Sequence, residues 1–96
     1  MPAKIRESVV ERDIVAYAKS KGVECFKFTS PGQRGAPDRV FIKAGRVLFL
    51  EIKQKGKKPT PLQDHQMLRI QNAGVAAQWT DNLTTGKFYI DTILLS

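Results

Sequence analysis

Pro37-Asp38-Arg39-Val40-Phe41-Ile42-Lys43-Ala44-Gly45-Arg46-Val47-Leu48-Phe49-Leu50-Glu51-Ile52-Lys53 is the stretch whose reading decides the fold. It reads as an acid, a strand, a two-residue turn and a second strand that runs apolar until it ends in Glu-Ile-Lys. Alternate strand residues face the same way, so Val47, Phe49, Glu51 and Lys53 share one face and Leu48, Leu50 and Ile52 the other. A strand apolar on both faces over its first half is a central strand, and its chemistry emerges at its C-terminal end. The hairpin returns Asp38 to the side of Glu51 and Lys53. Two carboxylates and an ammonium on one small surface suit metal-dependent phosphodiester hydrolysis. A hard divalent cation is held by one or two carboxylates, and a lysine beside it can hold the attacking water or stabilise charge developing on the phosphate.

Working outward, Ser8-Val9-Val10-Glu11 has the form of a capping box, and Val10, Ile14, Tyr17 and Ala18 follow at helical spacing. A first helix is expected from about Val9 to Lys21, stopped by Gly22. Val23 to Thr29 reads as a strand, with Val23, Cys25 and either or both of Phe26 and Phe28 inward. Ser30 to Pro37, with two Gly and two Pro, is a loop. Arg39 to Lys43 and Val47 to Gln54 are the hairpin strands about an Ala44-Gly45 turn. Lys55-Gly56-Lys57-Lys58-Pro59 is a basic loop. Thr60-Pro61-Leu62-Gln63 opens a second helix, with Thr60 as cap, Pro61 first and Gln63 closing a capping box. Leu62, Met67, Leu68 and Ile70 form its apolar stripe and Gly74 ends it. Val75 to Trp79 is a fourth strand. Beyond Trp79 the pattern fits a short helix or a strand, with helix preferred. The expectation is α-β-β-β-α-β. The second helix serves as a crossover between parallel third and fourth strands, in an α/β fold whose mixed central sheet is flanked by helices.

The chain has 96 residues and a net charge of +7, which bounds it to one domain, 1–96, with a modest core. A hydrophobic fraction of 42% argues against global disorder. No run is long and apolar enough for a membrane span, and the first residues lack the apolar stretch of a signal peptide. Cys25 is the single cysteine, which excludes an internal disulfide or a thiolate zinc site and suits a reducing cytoplasm. Between Arg34 and Lys58 eight Lys or Arg stand against two acids, a local balance of +6. That field would draw a polyanion toward the acids.

With Asp38 following Pro37, and Glu51-x-Lys53 thirteen positions on, the chain resembles the PD-(D/E)xK nuclease core. Glu11 in the first helix, Gly35-Ala36-Pro37-Asp38, Glu51-Ile52-Lys53 and Thr60-Pro61-Leu62-Gln63 together are similar to the VRR-NUC domain, over Glu11 to about Trp79. The resemblance is to the small stand-alone members found in bacteria and their phages. It implies a restriction-endonuclease-like fold and a Mg²⁺- or Mn²⁺-dependent DNA endonuclease of the bacterial cytoplasm, acting as a homodimer on branched DNA such as Holliday junctions. It further implies metal binding by Asp38, Glu51 and the Ile52 carbonyl, and a role for Lys53 with the nucleophilic water. Glu11 would serve the metal directly or through water, and Gln63 would contact the carboxylates, the water or the substrate backbone.

Around that centre, Gln33, Arg34, Arg39, Lys55, Lys57 and Lys58 are the candidate nucleic-acid contacts. Glu11 and Gln63 also have purely local readings as capping-box members, and Gln66 competes with Gln63 for the contact. Cys25 reads as a small core residue, His65 as a solvated helix residue and Trp79 as core or interface. Two other functions stay open: a non-catalytic nucleic-acid-binding module on the same scaffold, and a nuclease for flaps, nicks or RNA.

Overall fold

A computed structural model describes residues 6–96. Helix α1 (Glu7–Ser20) is followed by strands β1 (Glu24–Lys27), β2 (Arg39–Lys43) and β3 (Arg46–Ile52). Helix α2 (Pro61–Asn72), strand β4 (Ala76–Thr80) and helix α3 (Leu83–Tyr89) complete the chain, with a π-helical turn at Ile90–Leu94. The strands form one sheet in the order β1-β2-β3-β4; the first two pairings are antiparallel and β3–β4 is parallel. The expected mixed sheet is therefore present, with β3 central and α2 as the crossover.

The β2–β3 hairpin turns on Ala44 and Gly45, both at positive φ (51° and 79°). That is the turn whose twist matches the flanking strands, and it pairs Lys43 with Arg46 and Arg39 with Leu50. Leu48, Leu50 and Ile52 point with Phe41 into a core completed by Val10, Ile14 and Ala18 of α1 and by Ile90 and Leu94 of the tail. Gly86 of α3 lies against Ile14 so closely that an added Cβ would sit 2.7 Å from its side chain. The tail is helical, as preferred, because this contact seats α3 on α1. Asn82 caps α3 by accepting from the Thr85 amide at 2.8 Å.

Three expectations need correction. Helix α1 starts at Glu7, before the anticipated capping box, and its N-cap is Arg6, which makes no side-chain cap. Ser8 therefore lies inside the helix, and Glu11 has no capping role. Phe26 is 54% exposed rather than inward; it lies on the sheet face opposite α1, paired with Val40. On α2 only Met67 is buried, while Leu62 and Leu68 are exposed. The α2 cap itself is as expected: the Thr60 side chain accepts from the Gln63 amide and the Gln63 side chain accepts from the Thr60 amide. Among the described residues no helix is long and apolar enough to cross a membrane.

Candidate active site

Asp38 and Glu51 lie one step beyond the Arg39–Leu50 pair, on the same sheet face and at the same end of the sheet. The Phe28 amide donates to the Asp38 carbonyl at 2.9 Å, which fixes the backbone there. The Asp38 side chain accepts from the Ile52 amide at 3.4 Å. Glu51 is only 2% exposed. Its Oε2 accepts from Gln63 Nε2 at 3.2 Å, whereas its Oε1 is buried with no hydrogen-bond partner among the described residues.

Gln63 is the hub. Its Oε1 accepts from the Thr60 amide at 2.9 Å and from Lys53 Nζ at 3.3 Å, while its amide nitrogen reaches Glu51. The capping geometry of α2 thus aims Gln63 at both strand residues. Its local and its active-site readings hold at once. Gln66, the rival, faces elsewhere and donates to the Arg34 carbonyl at 2.9 Å.

Electrostatics follow from this crowding. Burial first, and the Asp38 charge second, push the Glu51 carboxyl up to about 8. Lys53 pulls against that rise. The site is thus over-supplied with negative charge.

Glu7, which the sequence reading left outside the helix, belongs to this group. Burial raises its carboxyl first, then the Asp38 charge, against Lys53. It lines a cleft of about 260 Å³ with Glu11, Lys27, Phe28, Thr29 and Asp38. The available signal was its position four residues before Glu11, which puts both on one helix face. Glu11 sits in the same cleft, but its Oε2 accepts a 2.7 Å hydrogen bond from Arg39 Nε. Arg39, expected at nucleic acid, is thus engaged with α1.

Of the other candidates, Lys55, Lys57 and Lys58 are exposed on a loop held by two hydrogen bonds. The Lys57 amide donates to the Gln54 carbonyl, and the Gly56 amide to Asp81 Oδ2. Gln33 and Arg34 lie on the loop before Asp38, held to α2 through the Gln33 side chain and the Arg34 carbonyl. Cys25 is half-buried, and burial raises its thiol pKa despite Arg39 nearby, as suits a packing residue.

Comparison with known proteins supplies the remaining context. No protein-family model matches the chain. A curated relative, "Putative nuclease p44" of Acyrthosiphon pisum secondary endosymbiont phage 1, is 42% identical over 67 residues, covering 69% of this chain and 72% of the relative. A solved structure described as a VRR_NUC domain superposes with a TM-score of 0.83 at 22% identity, covering 92% of this chain and 97% of its own.

The chain belongs to the VRR-NUC family.

A second solved VRR_NUC domain protein has a TM-score of 0.78 at 17% identity, over 95% of this chain and 89% of its own. At these identities the likeness shows the fold. The mixed sheet and its helices are those of VRR-NUC structures, and the PD-(D/E)xK-like architecture expected from sequence is present.

Proposed function

We propose that this VRR-NUC chain is a metal-dependent DNA endonuclease. The observation that carries the reading is Glu51 Oε1: a carboxylate oxygen removed from water, unpartnered, and beside a second carboxylate. Buried charge of this kind is costly unless something of opposite sign neutralises it. Asp38, Glu51 and the Ile52 carbonyl are the groups that would hold Mg²⁺ or Mn²⁺, with Glu7 from α1 reaching it through water. Among the described residues no three His, Cys, Asp or Glu side chains converge as a ready cage. The fit is therefore to a hard cation that keeps waters and substrate oxygens as its other ligands. When bound, such an ion neutralises phosphate charge and makes a bound water more acidic.

The chain's own residues supply the rest. Lys53 presents its ammonium at the carboxylate pair, where it can hold the nucleophilic water or stabilise charge that develops on the phosphate. Gln63 fixes the Lys53 and Glu51 side chains relative to each other. Lys55, Lys57 and Lys58 extend positive charge away from Lys53 on their loop, as a track for the sugar–phosphate backbone.

The finer reading is a homodimer acting on branched DNA in a bacterial cell, as a phage-encoded enzyme. It is supported by the family and by the phage origin of the p44 relative. Two sites related by a two-fold axis suit two cuts in opposed strands.

The test is a labelled panel of four-way junction, flap, nicked duplex, linear duplex and single strand, incubated with Mg²⁺, Mn²⁺ or EDTA beside Lys53→Ala. Metal-dependent cleavage lost in the variant supports the nuclease, and paired symmetric nicks on the junction support the resolving dimer. Binding without cleavage under every metal would replace the reading with a non-catalytic module.

A further inference from the structure

The loop that delivers Asp38 is packed at Pro37 and is also tied to α2 by side-chain hydrogen bonds. Beneath it lies a cavity of about 230 Å³, lined in part by Phe28, Pro37, Gln66 and Ile70. Apolar contact between loop and helix is therefore incomplete. Gly35 lies directly against the helix: its φ is +83° and an added Cβ would sit 2.9 Å from Leu62. What spans the gap is a polar relay. Gln66 Nε2 donates to the Arg34 carbonyl at 2.9 Å. Arg69 Nη1 donates to Gln66 Oε1 at 2.9 Å and to Gln33 Oε1 at 2.7 Å.

The chemistry of the relay is directional. An amide bonds a carbonyl only through its nitrogen. Arg69, a pure donor, can bond only the oxygen end of Gln66, and so turns the nitrogen toward the loop. We propose that Gln66 is a positioning residue for Asp38, oriented by Arg69, and that Arg69 works through this relay rather than as a phosphate contact. The inference rests on the nuclease reading. It assigns the two ends of α2 separate duties: Gln63 holds Glu51 and Lys53, while Gln66 and Arg69 hold the loop that ends at Asp38.

The experiment measures single-turnover cleavage of a labelled four-way junction across a Mg²⁺ titration, with binding to the same junction in EDTA at about 50 to 200 mM salt. Wild type, Gln66→Met, Gln66→Glu, Arg69→Gln and Arg69→Lys are compared, with melting temperatures to confirm folding. The expected result for Gln66→Met and Gln66→Glu is a cleavage rate lower by about 10-fold at saturating DNA and a higher half-saturating Mg²⁺. The carboxylate matches the amide in shape but cannot donate to the carbonyl. Arg69→Gln should follow the same pattern with unchanged DNA affinity and salt slope, and Arg69→Lys should recover part of the rate. A drop in DNA affinity with a shallower salt slope in Arg69→Gln would make Arg69 a phosphate contact and overturn the proposal. Equal cleavage by Gln66→Met at equal Mg²⁺ would overturn it too, while leaving the nuclease in place. Wild type that never cuts removes the nuclease reading and this inference with it. Arg69 is exposed, so its variants keep the test standing if a Gln66 variant unfolds.

Discussion

Arg39 Nε and Glu11 Oε2 meet at 2.7 Å, joining β2 to the first helix at the rim of the carboxylate cleft. The contact partly neutralises Glu11, whereas Glu7, one turn earlier, faces Asp38 and Lys53. The two glutamates therefore differ in role. Glu7→Gln should raise the Mg²⁺ concentration needed for cleavage and leave melting in EDTA little changed. Glu11→Gln should cost about 0.5–1 kcal/mol of stability, as for a partly exposed ion pair, with a smaller effect on Mg²⁺ dependence. Chemical denaturation in EDTA beside a metal titration separates the two, and the reverse pattern would exchange their roles.

Glu51 makes stability depend on pH in a defined direction. Its carboxyl is raised from 4.5 to about 8 in the fold. The fold favours the protonated form, so this contribution is fully present below about 4.5 and is lost as pH rises through about 8. The metal-free protein should lose melting temperature between those values. Glu51→Gln should flatten the profile and be the more stable protein at pH 8, while cleaving nothing. A wild-type profile that is level or rising over that window would refute the assignment.

Divalent metal should reverse that trend. An ion that binds the folded site alone stabilises by mass action, by about 2.7 kcal/mol at a hundred times its dissociation constant. Mg²⁺ should therefore raise the melting temperature more at pH 8 than at pH 6, because it competes with the proton on Glu51. Asp38→Asn and Glu51→Gln should each abolish the shift. A Mg²⁺ response that persists in both variants would locate the ion elsewhere.

The double use of Gln63 can be separated by substitution. Thr60→Ala removes the cap and should cost about 1 kcal/mol with cleavage nearly intact. Gln63→Leu should cost a similar amount and also slow cleavage by on the order of 10-fold or more, since Lys53 and Glu51 lose their common partner. Equal cleavage by the two variants would reduce Gln63 to a helix cap.

Much of this was legible because local signals and tertiary needs coincide. The β2–β3 hairpin carries alternation, turn and buried face together, so Asp38, Glu51 and Lys53 could be brought to one place from sequence. Thr60 and Gln63 announce α2 by a box that the fold keeps. Glu7 was missed because Ser8 and Glu11 imitate a helix start, and a helix begun there excludes it. Phe26 and Leu68 misled because an apolar side chain states a preference, not a partner. The tail was ambiguous because its helix depends on Gly86 meeting Ile14, a residue far away in the sequence.

Gln63, Gln66 and Arg69 recur at intervals of three along α2, so one helix serves as a measuring stick for two separate grips. Each residue added to a helix turns everything beyond it by about 100°. A single insertion between Gln63 and Gln66 would leave every side chain chemically intact and still break one of the two grips. This segment should tolerate exchange of its outward residues far better than any change in its length.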